Sequence, residues 1–481
     1  MRPLLAALLV VAAGVPRLEA QGDPPIAAGE GGQLPAVRIR GHSQARPLAE
    51  RMAFYEVPGV SVAVIDDGRI AWAKGYGVLE AGHRTQVDAA TLFQAASISK
   101  PVAATAALQL VRSGQLDLTA DVNRWLTSWK VPANEFTRQQ AVTLEGIMSH
   151  TAGFTVHGFP GYDVDSALPT LVQILDGTRP ANTEAIRVAG VPGRAWSYSG
   201  GGYTVMQQLL LDVTHQPFPD FMRRTVLEPL GMRHSTYEQP LPARLARDAA
   251  TAHDAQGRPI HGKWHVYPEM AAAGLWTTPS DLARFAIAIQ EAIGGRRNRL
   301  FTLTLVADML TPRAGSDYGL GLGITGEGAA QRFGHTGGNE GFRCEFVTFT
   351  HRGQGAVVMT NGDNGGQLAS EILRAIAAEY GWPGYLSAEI EPVAVAPGTL
   401  DELAGTYALP DGTRVVVVRE GDALVAQPQG EPRERLWPTS DSTFVAGTSG
   451  VGIRVERDAA RRVTGVVIVQ MGRETRAPRV P

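Results

Sequence analysis

The sequence predicts a mixed α/β chain of the α+β kind: a large domain of interleaved helices and strands, followed by a small all-β barrel. Three observations carry this. The chain has 481 residues, 44% of them hydrophobic, which suffices for one large core and a smaller second one. Up to about residue 384, strand-like runs and apolar runs of helical period are interleaved. Beyond a proline-bearing stretch at 385–398, only short β-rich runs separated by turns remain.

Residues 1–20, MRPLLAALLVVAAGVPRLEA, combine Arg2 at the start, an apolar run from Leu4 to Val15 and small residues before a cleavage point. This pattern predicts a secretory signal peptide, too short to span a membrane, and no later run is long and apolar enough to do so. The mature chain is therefore expected to be exported, periplasmic or extracellular, without a transmembrane segment. Cys344 is the only cysteine, so an oxidising compartment brings no internal disulfide. A net charge of -3 argues against a nucleic-acid partner. Residues 21–46 are rich in Gly, Pro and Ala and predict a flexible leader, with order starting at Pro47. Val60–Ile65 and Ile70–Gly75, separated by Asp66, Asp67 and Gly68, predict a hairpin.

Ser97 and Lys100 follow, three apart at a predicted helix start that runs on through Val102, Ala106 and Leu110 to a stop at Gly114. Side chains at i and i+3 share a helix face, so the lysine amine can reach the serine hydroxyl and withdraw its proton. The ordinary alternative is a capping serine beside a solvated lysine. Against it stands the rarity of lysine here: of 44 basic residues only Lys74, Lys100, Lys130 and Lys263 are lysines. Arginine cannot give up its proton in a protein, whereas a buried lysine can act as a base.

Val142–Phe154 predicts a helix closed by His150, Thr151 and Gly153; with no G-x-S-x-G elbow in the chain, His150 reads as structural and not as part of a Ser/His/Asp triad. Pro192–Thr214 places Tyr198 just before Gly200, Gly201 and Gly202, which open an amphipathic helix. His261 and His265 are four apart, but Gly262 and Pro268 make a helix there doubtful and no acid stands at the H-E-x-x-H position, which argues against a metal site. Thr278, Pro279 and Asp281 begin another helix, with proline at its first position. His335, Thr336, Gly337 and Gly338 lead into strand-like runs at Cys344–Phe349 and Gly355–Thr360. After the 385–398 linker, Val415–Val418, Ile453–Val455 and Val463–Val469 alternate with turns, predicting an antiparallel barrel of about eight strands over 399–481.

Taken together, Ser97-Ile98-Ser99-Lys100, Tyr198-Ser199-Gly200 and His335-Thr336-Gly337 have the order and rough spacing of the three motifs of the serine β-lactamase and penicillin-binding protein superfamily. The chain resembles its class C β-lactamase-related branch of esterases, D-aminopeptidases and DD-peptidases. Further resemblance lies in Gly59–Gly77, Met148–Phe154 and Ala272–Phe285, and the whole covers about Pro47 to Trp382.

This resemblance implies a β-lactamase/transpeptidase-like two-lobed catalytic domain over 47–384, an antiparallel sheet lobe and an all-helical lobe with the site between them. The C-terminal segment resembles the lipocalin-like barrel appended to such hydrolases. Ser97 would attack a carbonyl, Lys100 would take its proton and Tyr198 would relay a proton to the leaving group. The backbone N–H groups of Ser97 and Gly338 would form the oxyanion hole, with His335, Thr336, Gly337 and Gly200 facing the substrate. No cofactor is implied.

Two departures bear on the substrate. Glycine stands at 200 where the second motif usually ends in asparagine, and His335 stands where lactamases usually carry lysine. The expected activity is hydrolysis of esters or D-amino-acid peptides through a Ser97 acyl-enzyme. The alternatives are a β-lactamase or DD-carboxypeptidase, and a non-catalytic binder of cell-wall fragments. The expected partner is a small molecule or short peptide, cell-wall fragments among the candidates.

Overall fold

The computed structural model describes residues 32–480 apart from 43–44, 297 and 471–472. The expected signal peptide and residues 21–31 of the expected leader lie outside the described residues. No helix among the described residues is long and apolar enough to cross a membrane.

The chain opens with strand β1, Val37–Ile39, and helix α1, Leu48–Phe54. The predicted hairpin follows as β2, Gly59–Asp66, and β3, Arg69–Gly77. Asp66 pairs with Arg69, so the turn is only Asp67-Gly68, both with left-handed φ (51° and 67°). Asp-Gly suits such a turn, because its twist matches that of the flanking strands.

The elements that follow and frame the site are helices α2 (Ser99–Arg112), α3 (Leu144–Met148), α4 (Gly200–Thr214) and α5 (Pro279–Ile293), strands β4 (Gly323–Thr325), β5 (Arg332–Asn339), β6 (Phe342–Phe349) and β7 (Gly355–Thr360), and helix α6 (Gly365–Glu379). Thr278 caps α5 by accepting the Asp281 N–H, with Pro279 at the first helical position, where no N–H is needed.

The sheet runs β3-β2-β7-β6-β5-β4, antiparallel throughout. Helices cover both faces, so β2 and β7 are apolar on both sides and alternate residues enter different cores. Val60, Val62, Val64, Ala356 and Val358 pack with Leu368, Ile372 and Ile376 of α6. Ala63, Ile65, Val357 and Met359 belong to the larger core shared with α5 and the helical lobe. Within that lobe α2 is buried on almost every side from Ser99 to Leu108. That fixes it rigidly beside the sheet.

Two segments expected to be irregular are ordered. Val37–Ile39 of the leader pairs in parallel with β8, Ala388–Ile390, inside the expected linker. Val37 and Ile39 are buried, and Arg40 pairs with Glu389 and Glu391. Each strand is three residues long, too short for its alternation to be read from sequence.

The C-terminal strands β9 (Gly405–Ala408), β10 (Arg414–Glu420), β11 (Ala423–Pro428), β12 (Glu434–Pro438), β13 (Thr443–Ala446), β14 (Gly452–Arg457), β15 (Val463–Gln470) and β16 (Arg473–Val480) form a closed antiparallel barrel in sequence order. Pairs Thr406–Val480 and Tyr407–Arg479 close it, which removes exposed sheet edges. Val415 and Val417 point inward while Val416 and Val418 stay exposed.

Candidate active site

The nucleophile turn lies between the short strand Phe93–Gln94, which pairs with Trp276–Thr277, and the start of α2. Ala96–Ile98 is a 3₁₀ turn, and Ala96 has φ 50°, a left-handed conformation that costs an alanine about 1–3 kcal/mol. Several bonds hold it. Ala95 N–H donates to the Leu275 carbonyl (2.8 Å), Leu275 N–H to Ser99 Oγ (2.9 Å), Ser99 Oγ to the Ala96 carbonyl (2.5 Å), and Tyr237 Oη to the Ser99 carbonyl (2.7 Å). Pro101 falls in the first turn of α2, where a missing N–H breaks nothing.

Lys100, 2% exposed, directs Nζ to Ser97 Oγ at 2.9 Å and to the Ala272 carbonyl at 2.8 Å. Among the described residues no carboxylate pairs with it. Nζ also lies 5.1 Å from the ring centre of Tyr198 and 5.8 Å from that of Tyr203. The S-x-x-K spacing thus brings its two side chains into hydrogen-bonding contact, with the serine half-buried at the cleft.

Tyr198 immediately precedes the N-cap of α4, where Ser199 Oγ accepts the Gly202 N–H. His157 Nδ1 donates to the Tyr198 carbonyl. Behind Tyr198 lies His150, at φ 60° just beyond α3, its ring centre 4.2 Å from that of Tyr198. His150 is therefore structural and backs the Tyr198 ring. Ser199 N–H donates to its Nδ1 (3.1 Å), so the ring proton sits on Nε2. Burial, with Lys100 and His335 nearby, holds its pKa well below the ordinary value, and it is neutral.

His335 has the opposite tautomer. Its Nδ1 donates to the Thr336 carbonyl (2.5 Å), leaving a lone pair on Nε2, and burial with Lys100 nearby pushes its pKa down to about 3. Tyr318 stands between the two imidazoles, with ring centres 4.8 Å from His150 and 6.0 Å from His335. His150 Nε2, His335 Nε2 and Tyr318 Oη are all buried without a hydrogen-bond partner.

Strand β5 carries the third motif along an open edge: β4 pairs only with residues 332–334, so 335–339 face the nucleophile turn. Gly337 is required there, since a Cβ would lie 2.2 Å from the Ala95 carbonyl oxygen. Gly338 is exposed beside it and would tolerate a Cβ, 3.5 Å from Arg343. Thr336 is exposed on the same strand.

Gly200 departs from the expected substrate-facing role. It is buried, its N–H donates to the His157 carbonyl (3.0 Å), and a Cβ would meet the Phe159 ring at 3.0 Å and that carbonyl at 3.1 Å. Residues 157–159 occupy the direction an asparagine side chain would take. Its φ lies outside the left-handed region, so packing rather than backbone geometry favours glycine.

His261 and His265 do not act as a pair. His265 Nδ1 donates to the Pro160 carbonyl, while His261 sits on the surface against Asp163 and Asp165. Sequence reasoning did not single out Tyr318 or the Ala272 carbonyl. The Ala272–Phe285 resemblance touched the second without giving its reason: the short helix Met270–Ala273 delivers the carbonyl that holds Lys100.

An antiparallel sheet flanked by a helical lobe, with a serine and a buried lysine in contact at the start of the central helix, defines the serine hydrolase superfamily of β-lactamase-like fold. Residues 45–380 match the family model described as Beta-lactamase, and the chain belongs to that family.

The chain is 26% identical over 374 residues to "Penicillin-binding protein 4" of Amycolatopsis lactamdurans, a match covering 73% of this chain and 93% of the relative. It is 29% identical over 267 residues to "Unguisins hydrolase ungD" of Aspergillus violaceofuscus, covering 51% of this chain but spanning only 44% of the relative. The octameric penicillin-binding protein homologue from Pyrococcus abyssi has a similar fold, with TM-score 0.61 and 22% identity over 89% of this chain and 98% of that one.

Proposed function

We propose that this chain is an exported serine hydrolase that forms an acyl-enzyme on Ser97 with esters or with D-amino-acid peptides and amides. The observation that carries the reading is the 2.9 Å contact between Lys100 Nζ and Ser97 Oγ, with the amine anchored on the Ala272 carbonyl. Anchored on Ala272 by one N–H, the amine is placed to take the serine proton as Oγ attacks. Ser97 Oγ then adds to the carbonyl carbon. The developing oxyanion lies between the N–H groups of Ser97 and Gly338, where preorganised donors are most effective.

Collapse of the tetrahedral adduct breaks the C–O or C–N bond. The proton taken by Lys100 passes through Tyr198 to the departing alcohol or amine, and water entering at Tyr198 completes hydrolysis. Export rests on the N-terminal pattern, and no step needs a cofactor. A serine-directed fluorophosphonate followed by peptide mass spectrometry tests the reading: an adduct on Ser97 is expected, and its absence from folded protein removes both this reading and the penicillin-hydrolase alternative. Binding of a cell-wall fragment without any adduct would support the non-catalytic alternative.

A further inference from the structure

We propose that the group expelled from the substrate is bulky and uncharged, and that it lodges in a cleft of about 540 Å³ extending from Tyr198 and His335 to Tyr385. This rests on the hydrolase reading above and specifies its substrate. The general acid must touch the leaving atom, so whatever departs lies on the Tyr198 side. The cleft is lined by Tyr198 and His335 but not by Ser97 or Gly338, which separates it from the acyl side.

Its walls are mostly rings and aliphatic surface, from Tyr198, Tyr318, Val347 and Tyr385. Such a volume is within the range that encloses a small organic ligand. Two polar atoms of the lining residues are turned away from it: Tyr318 Oη and His335 Nε2 are buried. Arg332 and Glu345 line the far end. The Arg332 guanidinium lies over the Tyr385 ring (5.2 Å), and Glu345 accepts from Tyr385 Oη and from Ser370 Oγ (3.3 Å each). Moving a charged leaving group out of water onto so apolar a lining costs more than moving an uncharged one. An apolar one loses water on both surfaces.

Gly323 provides a way to fill the cleft. A Cβ there would have the Gly334 carbonyl at 3.6 Å and Tyr318 Cδ2 at 3.9 Å, ordinary contacts, with φ outside the left-handed region.

The test uses the full chain and three butyrate esters, of 3-phenylphenol, 3-hydroxybenzamide and 3-hydroxybenzoate, each corrected for spontaneous hydrolysis. Wild type is expected to favour both uncharged leaving groups over the carboxylate by about tenfold or more in kcat/KM, with 3-phenylphenol best. Gly323→Val should lower the ratio of 3-phenylphenyl to unsubstituted phenyl butyrate by about tenfold. Equal or faster turnover of the carboxylate ester by wild type overturns the proposal, without any variant. So does a Gly323→Val protein, folded by circular dichroism, in which the ratio is unchanged. Ser97 labelling separates the two levels: label and turnover without discrimination sink the cleft assignment alone, whereas no label sinks the hydrolase reading and this one with it.

Discussion

Ala272 presents its backbone carbonyl to the Lys100 amine at 2.8 Å, from a short helix far along the chain. A carbonyl can only accept, so it holds one N–H of the amine in place and leaves the remaining valence to be aimed at Ser97. The contact uses main chain, and no substitution of a side chain at 272 removes it directly.

Charge alone should therefore not rescue position 100. Lys100→Arg is expected to be nearly as inactive as Lys100→Ala, because a guanidinium has no accessible neutral form. Loss of a positioned base costs on the order of 10²-fold to 10⁴-fold in rate. Steady-state turnover of p-nitrophenyl butyrate decides it, and an arginine variant within a few-fold of wild type would refute the base role.

Without an asparagine at 200, a substrate amide lacks a partner that simple esters do not need. Such a deficit is worth about 1 to 3 kcal/mol, or roughly tenfold to a hundredfold. Wild type is expected to hydrolyse p-nitrophenyl butyrate with higher kcat/KM than nitrocefin; the reverse order would favour the β-lactamase alternative. Because the Phe159 ring stands 3.0 Å from where a Cβ would lie, Gly200→Asn alone should cost about 1–3 kcal/mol through overpacking. Adding Phe159→Ala removes the ring contact but not the His157 carbonyl at 3.1 Å, so it should recover part of the melting temperature and raise the nitrocefin-to-ester ratio above that of wild type. A double variant as stable as wild type with an unchanged ratio would count against this account.

A chain ending at Pro392 keeps β8 and every residue of the site, and should still label at Ser97. The barrel does come near the sheet lobe: burial pushes the Glu431 carboxyl up, Glu434 adds to that push, and Arg343 of β6 opposes it. Substrate range is thus expected to shift more than acylation. Failure of a folded truncated protein to label would show that the barrel completes the site.

Glu269 is fully buried, both carboxyl oxygens lack partners, and burial pushes its pKa up to about 8. The folded state thus holds a proton that the unfolded chain releases above its ordinary value of 4.5. Between those limits the native state binds more protons, so stability is full below pH 4.5 and is lost as pH rises toward 8. Glu269→Gln cannot ionise. It should be more stable than wild type at pH 8, by on the order of 3 kcal/mol, and nearly equal at pH 5. Thermal melts of both proteins across that range test it, and parallel curves would refute the burial of an ionisable carboxyl.

What the sequence made legible was short-range or strongly periodic. Ser97 and Lys100 could be placed because i,i+3 residues on a helix must share a face, and because lysine is scarce in this chain. The hairpin, the α5 cap and the barrel could be placed because turn residues and alternation repeat over many positions. Tyr318 carries no motif and reaches the site through a loop before β4. The Ala272 carbonyl has no side chain to announce it. Gly200 occupies its motif position, yet its surroundings depend on Phe159, which only the folded loop brings over it. Strands β1 and β8 are too short to show a period, and each is explained only by the other.

That last pairing closes the catalytic domain into a ring. Because Val37 lies against Ala388, the two ends of the domain emerge side by side. A chain joined there by a brief connector and opened instead at an exposed turn, such as Asp67-Gly68, would retain every contact that positions Ser97. The barrel likewise departs from this seam, so a different module could be attached at the same place, and the order in which the ribosome makes the parts is not what holds the nucleophile.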